Sequence, residues 1–521
     1  MAAQAPTKVV SQAELLAHNE PGNAWVAVDG LVYDVSKFAR LHPGGAAVLE
    51  QLAGHDVSEE FYALHRKDVL VKYARLRVGR LEGAEGPAIE KGTSLSAPFA
   101  EISAFAGRES PYYTDSHRRL RQSVQDFMDA ELAPIALERD LKGEYPDREL
   151  QAKLGSSGLL VSRMGPGPWL NDAVKLGISI PGDVKPEEFD YFHELLAHQE
   201  IGRIGLPGFI DALGAGWLIS APAIFNFGSA QMKQDVGQPL LRGVKWSALA
   251  ISEPFAGSDV AALRATAEKT PDGKFYIVNG VKKWITEGTY ADYFVTAVRT
   301  GGPGAAGLSL ILIERGDGVD TSQIKTTYST CAGTALVIFN NVKVPAENLL
   351  GKENDGFRLI MYNFNHERWL ICNNLLGQIR AALGDAFLWA KQRKVFGKAL
   401  IEQPVIRLKL ASAASAAESV QCHMEAITYD MCKSHDGPLG SRLAGPIALL
   451  KYQTTRTAWQ VADETVQILG GRGITRTGMG AKIEGLKNYA KYAAVYGGSE
   501  EIMADLAVKQ ALRGFSPKAR L

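Results

Sequence analysis

The chain has little cysteine, no excess of either charge and no long apolar run. Its 521 residues include four cysteines, Cys331, Cys372, Cys422 and Cys432, none of them in a CxxC pair. So sparse a set argues against a disulfide framework or a zinc cluster and suits a reducing compartment. Lys plus Arg number 57 and Asp plus Glu 57, which leaves no basic surplus to neutralise nucleic acid or an anionic membrane. No apolar stretch reaches the ~18 residues of a membrane span, and the start, MAAQAPTKVVSQ, lacks a secretory pattern, so neither nucleic-acid binding nor a transmembrane segment is expected. What is present is globular in character: the chain is 46% hydrophobic and 22% charged. At roughly 150 residues per domain, this length asks for three or four domains.

Residues 8–82 alternate strand-like runs, such as Trp25 to Val28 and Leu31 to Val35, with short helical stretches, and Asp29-Gly30 signals a hairpin. This reads as a small α+β module. Residues 83–107 are rich in Gly, Ala, Ser and Pro and read as a linker, with a flexible reach of roughly 25–30 Å. Residues 108–247 carry helical periodicity, for example Leu120, Val124, Phe127 and Leu132, interrupted by a Gly/Pro-rich stretch from Met164 to Pro186. Residues 248–350 are β-rich, helical spacing returns over 351–515 with a break at 470–473, and 516–521 form a tail.

His42-Pro43-Gly44-Gly45 sets an imidazole on a turn whose glycines let the backbone approach a flat ligand, and Pro fixes the direction of approach. His65 follows 23 residues later. Two neutral imidazoles on opposite faces of a porphyrin saturate its iron, which favours electron transfer over oxygen chemistry. Phe38, Val48, Leu49, Phe61 and Leu70 are the candidate pocket lining. Taken singly, each histidine is better read as a turn or surface residue. The stretch AWVAVDGLVYDVSKFARLHPGG…AGHDVSEEFYALH, however, resembles cytochrome b5. The resemblance implies haem b with His42 and His65 as axial ligands; His55 competes for the second position and ranks below His65.

Ala250-Ile251-Ser252-Glu253-Pro254-Phe255-Ala256-Gly257-Ser258-Asp259 ends a β-run in a small-residue turn suited to a diphosphate. Lys283-Trp284-Ile285-Thr286 offers an indole and a hydroxyl to an aromatic cofactor. Each is weak alone. With Arg393-Lys394-Val395-Phe396-Gly397-Lys398, Gln467 to Gly473 (QILGGRG) and Tyr496-Gly497-Gly498-Ser499, they resemble the acyl-CoA dehydrogenase family, in the family's own order. The resemblance implies a helical N-terminal domain, a middle β domain, a helical C-terminal domain and bound FAD. It implies FAD contacts from Leu249, Ile251, Ser252, Gly257, Ser258, Trp284 and Thr286, with Ser499 and Glu501 near the end. Arg393, Phe396, Gln467, Gly470 and Gly471 are implied to reach the FAD of a neighbouring subunit, hence a homodimer or homotetramer. Ile474-Thr475-Arg476-Thr477 departs from the family, which usually carries an acidic residue there.

Oxidising an acyl thioester to its 2,3-enoyl product needs a carboxylate to take the α-proton while flavin takes hydride from the β-carbon. Many family members place that carboxylate where this chain has Gly497. The long-chain and isovaleryl branches place it on an earlier helix before an arginine, and Asn365-His366-Glu367-Arg368 matches that arrangement. Glu367 is therefore the expected base and Arg368 its structural or substrate-adjacent neighbour; Glu500 and Glu501 are the alternatives.

The fusion suggests that acyl-CoA oxidation, of the β-oxidation type, sends electrons from FAD to haem and on to a downstream acceptor. Direct reaction with oxygen, as in acyl-CoA oxidases, and a non-catalytic redox or lipid-binding module are the other readings. Ala519-Arg520-Leu521 is a variant of a peroxisomal import tripeptide; otherwise the mitochondrial matrix or cytosol is expected.

Overall fold

Alternating burial shapes the N-terminal module. The computed structural model describes residues 8–65, 67–84, 97–434 and 442–515. Strands β1 (Val9–Val10), β2 (Asn19–Glu20), β3 (Asn23–Val28), β4 (Leu31–Asp34) and β5 (Arg77–Leu81) form one sheet in the order β1-β5-β4-β3-β2. Ala24, Val26 and Val28 of β3 face one small core, whereas Trp25 and Ala27 face another, as a period of two dictates. Asp29 and Gly30 turn β3 into β4 at φ 51° and 70°, the left-handed pair that a two-residue hairpin needs. Around the sheet lie α1 (Gln12–Leu16), α2 (Ala46–Leu52), α3 (Ser58–Leu64) and α4 (Lys67–Lys72).

The expected linker is shorter than its composition suggests. Residues 85–96 lie outside the described residues, but residues 97–107 pack on the helical body. Ile102 and Ala104 are buried, Phe99 meets Phe387 at 5.9 Å between ring centroids, and Arg380 Nη1 donates to the carbonyls of Phe99 and Glu101 at 3.0 Å each. The small residues that suggested flexibility serve close approach instead. A β-carbon on Gly384 would already meet Ala100 Cβ at 2.8 Å.

The N-terminal helical domain runs through α5 (Asp115–Phe127), α6 (Ala133–Lys142), α7 (Arg148–Ser156), α8 (Leu159–Ser162), α9 (Pro168–Lys175), α10 (Tyr191–Gly202), α11 (Pro207–Ala212), α12 (Ala215–Phe227), α13 (Ala230–Met232) and α14 (Gln238–Leu241). The Gly/Pro-rich interruption thus contains a helix, α9, opened by Pro168, where a missing N–H costs nothing. Among the described residues one stretch, 207–227, is long and apolar enough to cross a membrane. It is two helices, α11 and α12, separated near Gly214 at φ 103° and buried in the core.

The middle domain comprises β6 (Ser247–Ala250), β7 (Thr266–Lys269), β8 (Phe275–Ile285), β9 (Tyr293–Arg299), β10 (Leu308–Glu314), β11 (Val319–Gln323), β12 (Ala335–Pro345) and β13 (Leu349–Leu350). They order as β11-β12-β8-β7-β9-β10-β13, with β6 parallel to β9. The C-terminal domain begins with α15 (Gly356–Gln392), 37 residues long. A small hairpin of β14 (Lys394–Val395) and β15 (Lys398–Ala399) follows, then α16 (Pro404–Lys433), α17 (Ala444–Leu469), α18 (Ala481–Ala493) and α19 (Glu500–Gly514). α15 packs against α10, α16 and α17, so its first half lies between the two helical domains.

Candidate active site

The two expected haem ligands come together. His42 follows a 3-10 turn and His65 caps α3, and their rings adjoin, with centroids 5.8 Å apart and planes at 78°. His42 Nδ1 lies 3.3 Å from the Gly45 carbonyl. Facing an acceptor, Nδ1 carries the proton and Nε2 keeps the lone pair that a metal takes. A β-carbon on Gly44 would stand 2.9 Å from His42 Cε1, which explains a glycine there. Burial, and then the neighbouring His42, lower the His65 pKa and keep it in the neutral, metal-binding form. Phe38 and Phe61 flank His42 and His65 at 5.9 and 5.0 Å. His55 is exposed, and its carbonyl accepts from the Ala27 N–H.

The expected flavin contacts cluster where β6 and β8 end. Leu249 and Ser252 are half-buried, Ile251 is buried, and Gly257 and Ser258 are exposed. No atom stands within 4 Å of a β-carbon placed on Gly257, so the turn opens onto free space. An ion pair inaccessible to the sequence reading pins this loop: Lys282 Nζ donates to Glu253 Oε1 at 2.8 Å and to the Ile251 carbonyl at 3.0 Å. Glu253 also accepts the backbone N–H groups of Arg264 and Ala265. Burial lowers the Lys282 pKa to about 8.

Trp284 is 52% exposed and takes φ 68°, and Glu287 takes φ 62°; both are costly for non-glycine residues. Glu287 anchors the bend by accepting from the Trp217 N–H at 2.8 Å and Trp246 Nε1 at 2.6 Å. The half-buried Thr286 sits between these two residues. An exposed indole on a strained turn beside an open glycine loop fits a flat dinucleotide cofactor.

Glu367 lies in the first half of α15 and is buried. Its Oε2 is buried with no hydrogen-bond partner. Burial raises its pKa to about 7, against the pull of Arg368, Lys451 and His366. Gly497, at φ 64°, faces it: a β-carbon there would lie 3.6 Å from Glu367 Oε1 and 2.6 Å from Ile371 Cδ1. A glutamate at 497 and one at 367 would compete for the same space. Arg368 acts on the loop: its Nε donates to the Gly497 carbonyl at 3.1 Å. Lys451, which the sequence reading missed, donates to the carbonyls of Gly498 and Ala493 at 2.7 and 3.1 Å. Ser499 precedes α19, Glu501 is exposed, and Glu500 lies 3.4 Å from Arg456.

The remaining expected contacts are not brought to this place. Arg393 lies 26 residues beyond Glu367, about 39 Å at the α-helical rise. Phe396 is 97% exposed, Gln467, Gly470 and Gly471 are exposed, and β-carbons on the two glycines would meet nothing within 4 Å. One chain therefore presents the expected flavin contacts on two separate surfaces.

Two further clusters have no counterpart in the sequence reading. His117, Asp190 and His193 form the only group of metal-ligand type found among the described residues. It is a shared capping device: Asp190 Oδ1 lies 2.9 Å from both rings, and the Nδ1 of each histidine accepts a helix-start N–H. The rings stack at 3.8 Å and 25°, so their in-plane lone pairs run side by side. The other is a set of tyrosines, Tyr328, Tyr489, Tyr492 and Tyr496, around the buried Asp211. Its only signal in the sequence is the spacing of three tyrosines after residue 488.

Comparison with known proteins gives the family. Family models for the N-terminal, middle and C-terminal domains of acyl-CoA dehydrogenase match residues 114–165, 248–342 and 354–512. A cytochrome b5-like haem/steroid binding domain model matches residues 11–82. Acyl-CoA dehydrogenase apdG of Emericella nidulans is 38% identical over 429 residues, 82% of this chain and 97% of its own. Acyl-CoA dehydrogenase AFT10-1 of Alternaria alternata is 38% identical over 421 residues, 80% of this chain and 96% of its own. The solved butyryl-CoA dehydrogenase of Megasphaera elsdenii is similar at a TM-score of 0.68 and 28% identity, covering 78% of this chain and 100% of that one. The chain belongs to the acyl-CoA dehydrogenase family and carries a cytochrome b5-like domain ahead of the dehydrogenase domains.

Proposed function

We propose that this protein oxidises an acyl-CoA to its 2,3-enoyl-CoA, with Glu367 as the base in the long-chain/isovaleryl-type position, and that the electrons leave through its own haem. The observation that carries the reading is the buried Glu367 carboxyl, one oxygen unpaired, facing a glycine that leaves it room. A carboxyl titrating near neutrality can accept the α-proton and still release it. Arg368 and Lys451 hold the Gly497–Gly498 backbone against it. Bound FAD supplies the hydride acceptor for the β-carbon, and haem b a one-electron outlet to a downstream acceptor.

Leu249, Ile251, Ser252, Gly257, Ser258, Trp284 and Thr286, with Ser499 and Glu501, would hold FAD from one subunit. Arg393, Phe396, Gln467, Gly470 and Gly471, set apart on the other surface, would reach it from a second, which makes the unit a homodimer or homotetramer. His42 and His65 would hold the haem iron. Ala519-Arg520-Leu521, outside the described residues, supports a peroxisomal location.

The test is anaerobic mixing of the haem- and FAD-loaded protein with acyl-CoAs of varied chain length. Flavin bleaching followed by ferrous haem is expected. Glu367→Gln should retain FAD and lose bleaching by about 10²-fold or more, the range of a general base. Retained bleaching in that variant overturns the assignment of the base. Haem that stays ferric beside a bleached flavin removes it from the route, and peroxide formed in air would then assign the electrons to oxygen.

A further inference from the structure

We propose that the acyl end of this site recognises a hydroxyl carried by the acyl group beyond its β-carbon, through a tyrosine relay that ends on Asp211. The proposal rests on the acyl-CoA reading above and names the substrate class within it. Tyr489 and Tyr492 lie three residues apart on α18, and Tyr496 follows in the next turn, so the three share one face. The Tyr489 hydroxyl donates to the Asp211 carboxylate, 3.1 Å from Oδ1 and 3.3 Å from Oδ2. The Tyr489 and Tyr496 hydroxyls are 2.7 Å apart. Tyr328 packs behind, 5.5 Å from Tyr489 and 4.4 Å from Tyr492 between ring centroids.

Two links tie this relay to Glu367 and to the expected flavin contact. Tyr496 immediately precedes Gly497, the residue facing Glu367, and the Glu367 charge acts on the Tyr496 phenol. Tyr492 interacts with Thr286, the residue on the strained turn after Trp284. The cluster therefore spans from the base to the expected flavin contact. Tyr489 and Asp211 are buried, whereas Tyr492 and Tyr496 are only half-buried, so the relay opens on the Tyr496 side.

Along the line Asp211–Tyr489–Tyr496 the hydrogen-bond arithmetic leaves the Tyr496 end open, while the buried Tyr328 hydroxyl and the Arg163 guanidinium also act on Asp211. With Asp211 ionised, Tyr489 donates to Asp211 and Tyr496 donates to Tyr489, which leaves the Tyr496 oxygen as an acceptor. With Asp211 protonated the chain can run the other way, and Tyr496 donates outward. Burial raises the Asp211 pKa to about 7, so both arrangements are accessible near neutral pH. A hydroxyl can meet either one, because it both donates and accepts. An alkyl chain can meet neither, and it leaves a polar group unpaired in a water-excluded site.

The test uses CoA thioethers, which bind without being oxidised, on the FAD-loaded full chain. S-(4-hydroxybutyl)-CoA is compared with S-pentyl-CoA, and S-(5-hydroxypentyl)-CoA with S-hexyl-CoA, by calorimetry. At least one hydroxyl compound should bind about tenfold more tightly than its alkyl isostere. Tyr489→Phe keeps the ring and cuts the relay, and should bring that ratio to within about twofold of one; Tyr496→Phe, which removes the terminal hydroxyl, should do the same. Alkyl compounds binding as tightly as both hydroxyl compounds in the native chain, or a preference unchanged in both variants, overturns the proposal. Failure of the acyl-CoA reading itself would appear separately, as a flavin that no acyl-CoA bleaches.

Discussion

A glutamate and a glycine divide the labour at the centre of this site. Glu367 titrates near pH 7 because burial penalises its charged form more than Arg368, Lys451 and His366 favour it. Only the ionised carboxylate accepts a proton, so the rate of flavin reduction should fall about tenfold per pH unit below 7 and level off above it. Single-turnover rates across pH 5–9 check this; a profile flat between pH 5 and 7 would place the base elsewhere. Gly497→Ala combines a left-handed backbone with a β-carbon 2.6 Å from Ile371. It should cost about 1–3 kcal/mol of stability, seen as a lower denaturation midpoint. The sequence singles out Glu367 because it precedes an arginine in a chain with glycine at 497, and the structure buries it opposite that glycine. Lys451 and Asp211 were not legible, because a lone charged residue inside an apolar helical stretch gives no sign of what it will face.

Helices and strands were readable from periodicity, and the misreadings share one cause. The Gly/Ala/Ser-rich residues 97–107 and the Gly/Pro-rich stretch containing α9 look unstructured by composition, yet both supply small residues or helix starts at close contacts. Composition reports flexibility in isolation, and packing overrides it. The loop after β6 shows the opposite case. Its small residues suggest a cofactor turn that is open and loose, but its rigidity comes from Lys282 on β8, paired with Glu253. Lys282→Met should loosen Ser252, Gly257 and Ser258 together by leaving a buried carboxylate unpaired. The expected result is FAD affinity reduced about tenfold or more, measured by flavin fluorescence on dilution, with haem content unchanged. Unaltered affinity would mean that the loop holds its shape without the pair.

At the scale of the whole chain, motif order foretold the order of domains, but nothing in the sequence foretold how the first domain docks. Glu59 of α3 pairs with Lys394 of the hairpin after α15, two exposed residues 335 positions apart. His65 ends the same short helix that carries Glu59, so the pair sets His65 on the side of the module that faces the hairpin beside Arg393; Phe396, Gln467, Gly470 and Gly471 are also exposed. Electron transfer weakens steeply with distance, and a tethered module gains only if its docked pose brings the carriers near. Glu59→Lys turns this attraction into repulsion next to Lys394. An exposed pair is worth about 0.2–1 kcal/mol, so haem reduction should slow by up to about fivefold in Glu59→Lys while flavin reduction by acyl-CoA keeps its rate. Joining it with Lys394→Glu should restore haem reduction, and high salt should shrink the difference between native chain and variant. Stopped-flow records at flavin and haem wavelengths separate the two steps. Identical haem kinetics in the native chain and in Glu59→Lys at low salt would show that electrons pass from some other pose of the module.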